Sequence, residues 1–261
     1  SNALCIVKNN MIRIIMHGCN GRMGQVISRL VKEYEDVQIV AGVDPYDGIT
    51  NDYPVFKDIK ECNIEADAVI DFASAPAVDN LLDYCVDKKI PVVLCTTGLN
   101  ENQLKKVEEV SEKIAVLKSA NMSVGVNLLI KILKDNAKVL SDAGFDIEIV
   151  EKHHKMKKDA PSGTALALAD SINESMDNKY TYIYDRSPRS EARHADEIGI
   201  SAVRGGTIVG DHDVIFAGED EVVTFSHTAY SRAIFAKGAI AAAKFIAGKE
   251  NGRYDMQDVI K

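Results

Sequence analysis

Apolar runs alternate with amphipathic segments through the first 120 residues of the chain. An isoleucine-rich run at 11–16 precedes a glycine-containing turn, and residues 25–34 then repeat apolar side chains at spacings of three and four, which is the pattern of a helix. The same criteria predict further elements: helices at 77–87 and 101–113, and strands at 37–43, 66–72, 91–95 and 114–118. This alternation indicates a parallel sheet with helices on both faces.

The pattern changes near residue 123. A long helical pattern at 124–141 is followed mainly by strand-like segments with few helices between them. The predicted elements are a helix at 162–175 with Ser162 as its N-cap, strands at 145–151, 180–184, 197–204, 207–217 and 221–227, and a final helix at 232–247. The sequence therefore predicts an α/β protein in which a Rossmann-type parallel-sheet domain joins a second α+β domain with a mixed, largely antiparallel sheet.

These elements divide the chain into two predicted domains. Residues 11–124 and 233–261 would form a dinucleotide-binding domain, and residues 125–232 a domain for substrate binding and oligomerisation. A ligand is expected in the cleft between them, because small-molecule sites occur preferentially where domains meet.

Composition and charge narrow the function classes. Of the 261 residues, 46% are hydrophobic and 27% charged, which is an ordinary balance for a globular protein. The net charge of −8 argues against general binding of nucleic acid or of an anionic membrane. Five cysteines without a C-x-x-C pair favour neither a disulfide framework nor a zinc site, and they suit reduced thiols in a cytoplasmic protein. No apolar run reaches the roughly 20 residues of a membrane span, and no signal-peptide pattern is present.

The glycine turn after the first strand is the first candidate site. Gly18, Gly21 and Gly24 form a G-x-x-G-x-x-G pattern between a strand and a helix, where backbone N–H groups and the helix N-terminus can bind a pyrophosphate. Asp44 ends the second strand 20 residues after Gly24, where a carboxylate binds the ribose hydroxyls. Pro45 follows, with no adjacent arginine for a 2′-phosphate, so NADH is favoured and NADPH remains possible. A purely structural turn is the alternative.

A second candidate site lies at residues 151–164, where two histidines and four lysines depart from the acidic character of the chain. Lysine suits carboxylates, histidine can transfer a proton near neutral pH, and Ser162, Gly163 and Thr164 begin a helix that can bind an anion. A solvated basic loop before an N-capped helix is the alternative. A metal is not expected, since no Asp, Glu or Cys set at ligand spacing accompanies the histidines. The remaining histidines are interpreted as structural or exposed: His17, His194, His212 and His227.

The two candidate sites, in this order and spacing, resemble the 4-hydroxy-tetrahydrodipicolinate reductases, also called dihydrodipicolinate reductases. The resemblance extends from about Met11 to the C-terminus, and the stretch EKHHKMKKDAPSGTA at 151–165 is its most specific part. The other stretches are 18–24 (GCNGRMG), 71–72, 96–98, 121–127 (NMSVGVN), 203–212 (VRGGTIVGDH) and 231–238 (SRAIFAKG).

The resemblance implies residue roles. The pyrophosphate contacts would be Gly18, Cys19, Asn20, Gly21, Arg22 and Met23, with Asp44 on the ribose. The nicotinamide side would be lined by Cys95, Thr96, Thr97, Ala120, Asn121, Met122 and Ser123. The catalytic proton-handling pair would be His153 and Lys157, and the contacts to substrate carboxylates would be His154, Ser162, Gly163 and Thr164. Pro45 stands where relatives that use both nucleotides have arginine, which agrees with NADH.

The resemblance also implies a reaction. A hydroxylated cyclic imine with two carboxylates loses water, takes a hydride at C4 from NADH or NADPH, and is then protonated, in lysine and diaminopimelate biosynthesis. Relatives are homotetramers built through the second-domain sheet. Two other functions stay open at this point: an amino-acid dehydrogenase of the aspartate type with a similar two-domain build, and a non-catalytic NAD-sensing protein.

Overall fold

The structure, a computed structural model, describes residues 10–261. These residues form two compact units. Unit 1 comprises residues 10–122 and 235–259, and unit 2 comprises residues 123–234. Each unit contains its own sheet and its own apolar core.

Unit 1 is built on a seven-stranded sheet in the order β12-β6-β5-β4-β1-β2-β3. Its strands are β1 (Ile12–His17), β2 (Val37–Val43), β3 (Val55–Phe56), β4 (Ala68–Asp71), β5 (Val92–Leu94), β6 (Ala115–Leu117) and β12 (Gly252–Tyr254). All of their pairings are parallel, which confirms the predicted sheet. The carboxyl ends of the strands therefore lie along one edge, where ligands of such sheets bind.

Helices cover both faces of this sheet. They are α1 (Arg22–Leu30), α2 (Val78–Lys88), α3 (Glu101–Ser111), α6 (Ala233–Ile246) and the short α7 (Met256–Val259). Alternate residues of β1 enter different cores: Ile14 packs in the core that includes α1 and α6, and Ile15 in the core that includes α2 and α3. This alternation follows from the two-residue period of a strand, and burial on both faces explains why the consecutive residues Ile14, Ile15 and Met16 are all apolar.

Helix α6 packs unusually close to the chain at the end of the first part of unit 1. A Cβ atom added to Gly238 would lie 1.7 Å from the backbone oxygen of Met122, so only glycine fits there. Small residues on the same helix, Ala236 and Ala239, are fully buried. Helix α6 thereby completes the core of unit 1 that also includes α1.

Unit 2 is built on a five-stranded sheet in the order β11-β10-β7-β9-β8. Its elements are α4 (Val124–Asp142), β7 (Asp146–His153), α5 (Gly163–Ser175), β8 (Thr181–Ile183), β9 (Glu197–Arg204), β10 (Gly210–Ala217) and β11 (Val222–Ala229). Strand β10 pairs antiparallel with β7 and β11 over their whole length, whereas β9 pairs parallel with β7 and β8. The sheet is mixed, as predicted.

Burial alternates along β7, with Ile147, Ile149, Glu151 and His153 on the buried face. The apolar members of this face pack with α4 and α5 around Leu133, whereas the two polar residues lie at the carboxyl end of the strand. The fold thus delivers an acid and a histidine to the same end of one sheet face.

The differences from the predicted elements are local. Helix α1 begins at Arg22 rather than at residue 25, and the last turn of the predicted helix is a 3-10 helix at Val31–Glu33. Strands β3 and β12 were not predicted, because two or three residues are too few to display a period. No helix in the described part of the chain is long and apolar enough to cross a membrane.

Candidate active site

The glycine turn of unit 1 joins β1 to α1 with almost no free space. Gly18 has φ +83°, and a Cβ atom there would lie 2.4 Å from the backbone oxygen of Phe72. A Cβ atom on Gly24 would lie 2.2 Å from the backbone oxygen of Gly18. Glycine at both positions therefore allows the helix to start directly against the strand.

The N-terminus of α1 has the character of an anion site. Gly21 is the N-cap and supplies no side-chain acceptor, so the first N–H groups of the helix are not capped by the chain itself. Arg22 is exposed at the first helical position. These features fit a phosphate group, which the N-terminus of a helix attracts.

Two other predicted contacts in this turn point inward. Cys19 is fully buried, and burial raises the pKa of its thiol to about 11. Its backbone N–H donates to Val43 and its backbone oxygen accepts from Gln25. Met23 is half-buried and packs against the core that includes α1 and α6.

Asp44 holds the glycine turn through backbone hydrogen bonds. Its carboxylate accepts from the N–H of Asn20 at 3.0 Å and from the N–H of Tyr46 at 2.9 Å. The Asn20 side chain in turn donates to the backbone oxygen of Tyr46 and accepts from Asn51. The residue predicted to bind ribose thus also orders the loop beside it.

A cavity of about 360 Å³ lies beside this turn, within unit 1. Its walls come from the carboxyl ends of β1, β2 and β4 and the segments after them, including Gly18, Gly21, Asp44 and Pro45. The cation on the wall is Lys57, whose ammonium lies 3.4 Å from the carboxylate of Asp47. The cavity brings two of the predicted pyrophosphate contacts, Gly18 and Gly21, together with Asp44, the predicted ribose contact.

Three predicted nicotinamide contacts, Cys95, Thr96 and Thr97, follow β5 directly, and one of them binds the buried carboxylate at the end of β4. Asp71 is fully buried and accepts from the Thr96 hydroxyl at 2.6 Å, while its other oxygen lies 2.6 Å from Nδ1 of His17. The Thr96 hydroxyl is therefore committed to the strand ends. Cys95 is half-buried, with a thiol pKa raised by burial, and Thr97 is exposed.

The segment 120–123 mixes exposed and buried positions. Ala120 is exposed, Asn121 is half-buried and Met122 is buried against α6. Ser123 is buried and caps α4, since its hydroxyl accepts from the N–H of Val126 at 3.2 Å.

The polar cluster of unit 2 is centred on Glu151, whose side chain is fully buried. Two parallel hydrogen bonds of 2.8 Å each join it to the guanidinium of Arg204. It also accepts from the backbone N–H of Ser162 at 3.1 Å and contacts Nδ1 of His153 at 2.5 Å. Burial raises the pKa of Glu151, but the hydrogen bonds from Arg204 and His153 outweigh it and leave that pKa below its usual value.

His153 lies between this carboxylate and a second imidazole. Its ring packs edge-on against His212 with centroids 5.1 Å apart, and 11% of its side chain is exposed. A Cβ atom on Gly210 would lie 3.1 Å from Nε2 of His153, so a side chain at position 210 would crowd this nitrogen.

Ser162 caps α5, as the sequence predicts. Its hydroxyl accepts from the N–H of Ala165 at 3.0 Å and lies 2.8 Å from Nε2 of His212. Gly163 is exposed, with open space where a Cβ atom would stand, and Thr164 is half-buried. The Ser162 hydroxyl therefore has two protein partners, while the N-terminal turn of α5 is accessible at Gly163.

His212 is neutral at physiological pH. Burial and the neighbouring His153 lower its pKa to about 4. Since the Ser162 hydroxyl already accepts from Ala165, it can donate its proton to the unprotonated Nε2 of His212.

Lys157 and His154 lie on the loop between β7 and α5. The Lys157 ammonium is 3.0 Å from the carboxylate of Asp159, whose pKa is lowered by that hydrogen bond. The backbone N–H of Lys157 donates to the oxygen of His154, which is half-buried. No hydrogen bond or ion pair joins the Lys157 and His153 side chains among residues 10–261, so the two predicted catalytic groups lie in separate pairs.

Three members of this cluster were given no role by the sequence analysis: Glu151, Arg204 and His212. The predicted strand ended at residue 151, whereas β7 extends to His153, and this extension places Glu151 and His153 on one face. Arg204 on β9 pairs in register with His153, and His212 on β10 pairs in register with Glu151. The places of both residues therefore depend on how the neighbouring strands are aligned.

Comparisons with known proteins agree across both units. Residues 12–122 match the family model "Dihydrodipicolinate reductase, N-terminus", and residues 125–260 match "Dihydrodipicolinate reductase, C-terminus". The 4-hydroxy-tetrahydrodipicolinate reductase of Caldanaerobacter subterraneus is 56% identical, covering 96% of this chain and 99% of the relative. That of Clostridium tetani is 50% identical, covering 94% and 96%. A structure of dipicolinate-bound dihydrodipicolinate reductase from Paenisporosarcina sp. TG-14 has a TM-score of 0.78 at 26% identity, covering 95% and 99%.

The depressed pKa of His212 predicts a pH dependence of stability. An unfolded histidine titrates near 6.5 and this one near 4, so the unfolded chain binds the proton first. The contribution of His212 is complete above pH 6.5 and is lost as the pH falls toward 4. We expect the Tm of His212→Gln to fall less than that of the native protein over this window, as measured by circular dichroism.

The control for this measurement is His194→Gln, at a histidine whose side chain is 56% exposed. This variant should follow the native pH dependence. Equal slopes for His212→Gln and the native protein would contradict the assignment of a buried neutral imidazole.

Proposed function

Because this chain belongs to the dihydrodipicolinate reductase family, we propose that the cluster around His153 is where it reduces 4-hydroxy-tetrahydrodipicolinate. The chain is a nicotinamide-nucleotide-dependent oxidoreductase of lysine and diaminopimelate biosynthesis, as its family models and closely similar relatives establish. The observation that carries the site is the 2.5 Å contact between His153 and the buried carboxylate of Glu151.

The nucleotide is proposed to bind at the carboxyl edge of the unit 1 sheet. The uncapped N-terminus of α1 fits its pyrophosphate, with Arg22 beside it and backbone from Gly18 to Met23 around it. Asp44, on the wall of the 360 Å³ cavity, fits the ribose hydroxyls. The nicotinamide ring, which supplies a hydride when bound, is assigned to the contacts predicted from sequence: Cys95, Thr96, Thr97, Ala120, Asn121, Met122 and Ser123.

The substrate carboxylates are proposed to bind at the start of α5 and on its preceding loop. This helix begins at Gly163 and Thr164 and is exposed at Gly163, and the N-terminus of a helix favours an anion. Ser162 contributes by holding this turn, since its hydroxyl is shared between Ala165 and His212. His154 and Lys157 flank the turn. A doubly negative ring agrees with the dipicolinate that the Paenisporosarcina relative binds.

His153 is proposed as the proton donor. Since Glu151 is ionised and only accepts hydrogen bonds, Nδ1 of His153 carries a proton toward it and Nε2 is left for the substrate. In the overall reaction the substrate loses water, gains one hydride and one proton, and becomes tetrahydrodipicolinate, while the nucleotide is oxidised. In this step His153 acts as the imidazolium: its Nε2–H gives the proton that is the second of these gains, and the ring is left as the neutral form whose Nδ1–H donates to Glu151.

Lys157 is proposed to serve the same reaction as a cation. In the structure it pairs with Asp159, whose side chain is 63% exposed. The Lys157 ammonium can leave Asp159 and pair with a substrate carboxylate instead. Its charge is compensated before and after this exchange, so no buried ion is left without a partner.

We expect His153→Ala to lower kcat by about 10²–10⁴-fold, the usual contribution of a general acid. Lys157→Ala should also lower kcat, whereas the Kd for NADH should stay unchanged in both variants because neither residue is among the proposed nucleotide contacts, all of which except Ser123 belong to unit 1. Stopped-flow turnover and a fluorescence titration with NADH measure the two quantities. The exposed neighbour Lys158→Ala is the control. Full turnover in both His153→Ala and Lys157→Ala would remove the proposed site.

NADH is the proposed nucleotide. Asp44 would repel a 2′-phosphate, Pro45 supplies no cation, and Lys57 is paired with Asp47. We expect a higher kcat/KM with NADH than with NADPH. Replacing the exposed residue in Pro45→Arg should shift that ratio toward NADPH by roughly 10- to 100-fold, the value of a charge-assisted hydrogen bond. A strong NADPH preference in the native enzyme would contradict the proposal.

A homotetramer is proposed to form through the face of the unit 2 sheet opposite α4 and α5. This face carries exposed apolar side chains, with Val203 44% and Val222 61% exposed. We expect sedimentation at four times the chain mass, and a smaller species for Val222→Glu. Val139→Glu, at a site 69% exposed on α4, is the control. A native monomer would rule this assembly out.

A further inference from the structure

We propose that Glu151 and Arg204 are positioning residues that set the tautomer and orientation of His153. This role rests on the proposed function of His153 as the proton donor. Neither residue needs to touch the substrate, because both act through the imidazole.

The contacts of Glu151 leave it no freedom. Its carboxylate receives two hydrogen bonds from Arg204, one from the backbone of Ser162 and one from His153, and its side chain is fully buried. A buried carboxylate is tolerated only when cations and N–H donors compensate it. The four contacts come from β7, β9 and the N-cap of α5, so they hold the carboxylate in one orientation.

Arg204 is equally constrained. Besides the two bonds to Glu151, its guanidinium donates to the backbone oxygens of Asp159 at 2.6 Å and Val203 at 2.9 Å. The planar fork of arginine matches a carboxylate in a way that lysine does not. Arg204 therefore stabilises the charge of Glu151 and also fixes the plane of its carboxylate.

The consequence reaches His153 through strand geometry. Residues 151 and 153 lie on the same face of β7, so their side chains are neighbours. An ionised Glu151 accepts the Nδ1 proton, which excludes the other neutral tautomer and directs Nε2 away from the carboxylate. Partners of this kind orient histidines in metal sites, where their loss lowers affinity or activity by about 10–100-fold.

The same sheet offers a matched comparison. Glu197 is also buried and is bound by two hydrogen bonds from Arg189, at 2.7 and 3.2 Å, but its other side-chain partner is Arg186 and not a histidine. Arg189→Lys therefore weakens an equivalent clamp without touching His153. Comparing the activities of Arg204→Lys and Arg189→Lys therefore distinguishes an effect on the orientation of His153 from a general effect on the sheet.

The experiment is a double-mutant cycle with Glu151→Gln, His153→Gln and the two combined, alongside both lysine variants. Turnover is measured across pH, and NADH binding and Tm report folding. We expect Glu151→Gln to lower kcat about 10–100-fold and to change the pH dependence of kcat. The combined variant should be no slower than His153→Gln alone, because the same group has already been lost. Arg204→Lys should lower kcat, and Arg189→Lys should not.

Several outcomes overturn the proposal. If the fold-losses in kcat of Glu151→Gln and His153→Gln multiplied in the combined variant, Glu151 would act independently of His153. Equal losses of kcat in Arg204→Lys and Arg189→Lys would show that Arg204 only supports the sheet. If Glu151→Gln does not fold, the cycle is run with Arg204→Lys, which keeps both charges. Full activity of His153→Gln alone would instead refute the proposed function, so the two failures are distinguishable.

Discussion

One buried carboxylate organises the polar cluster of unit 2. Glu151 compensates its burial with a guanidinium, a backbone N–H at a helix cap and an imidazole. Each partner belongs to a different part of the fold. The single side chain of Glu151 therefore holds both the start of α5 and the imidazole of His153. Because a buried charge must be compensated, these partners have to lie within hydrogen-bonding distance of Glu151, and this fixes the geometry of the site.

Unit 1 depends on a different constraint, which is that two positions of its glycine turn must lack a Cβ atom. At Gly18 and Gly24 the backbone approaches other backbone so closely that no Cβ atom fits, and the start of α1 is consequently exposed to a ligand. Asp44 and Asn20 then order the adjoining loop by hydrogen bonds. The groups that we propose to bind anions therefore differ between the two units: backbone N–H groups around a turn in unit 1, and a capped helix with flanking cations in unit 2.

The limits of sequence reasoning follow from the range of the interactions. Periodic patterns predicted the long elements and the N-cap Ser162, because these depend on neighbours in sequence. They did not predict β3, which is too short to be periodic, nor Arg204 and His212, whose places follow from pairing with residues about 50 or 60 positions away. The role of the histidine-rich stretch in proton transfer stays a prediction. The contact of the Ser162 hydroxyl with His212 was not predicted, since nothing local in the sequence encodes it.

The register of β10 has an implication for how the protein becomes functional. Gly210 and His212 reach His153 only because β10 pairs with β7 in this alignment; a shift by one residue would present the opposite face of the strand. Arg204 likewise arrives only when β9 has joined the other side of β7. The polar cluster therefore exists only where both neighbours of β7 are paired in this register, so a chain with either strand displaced would keep all of these side chains and still lack their arrangement.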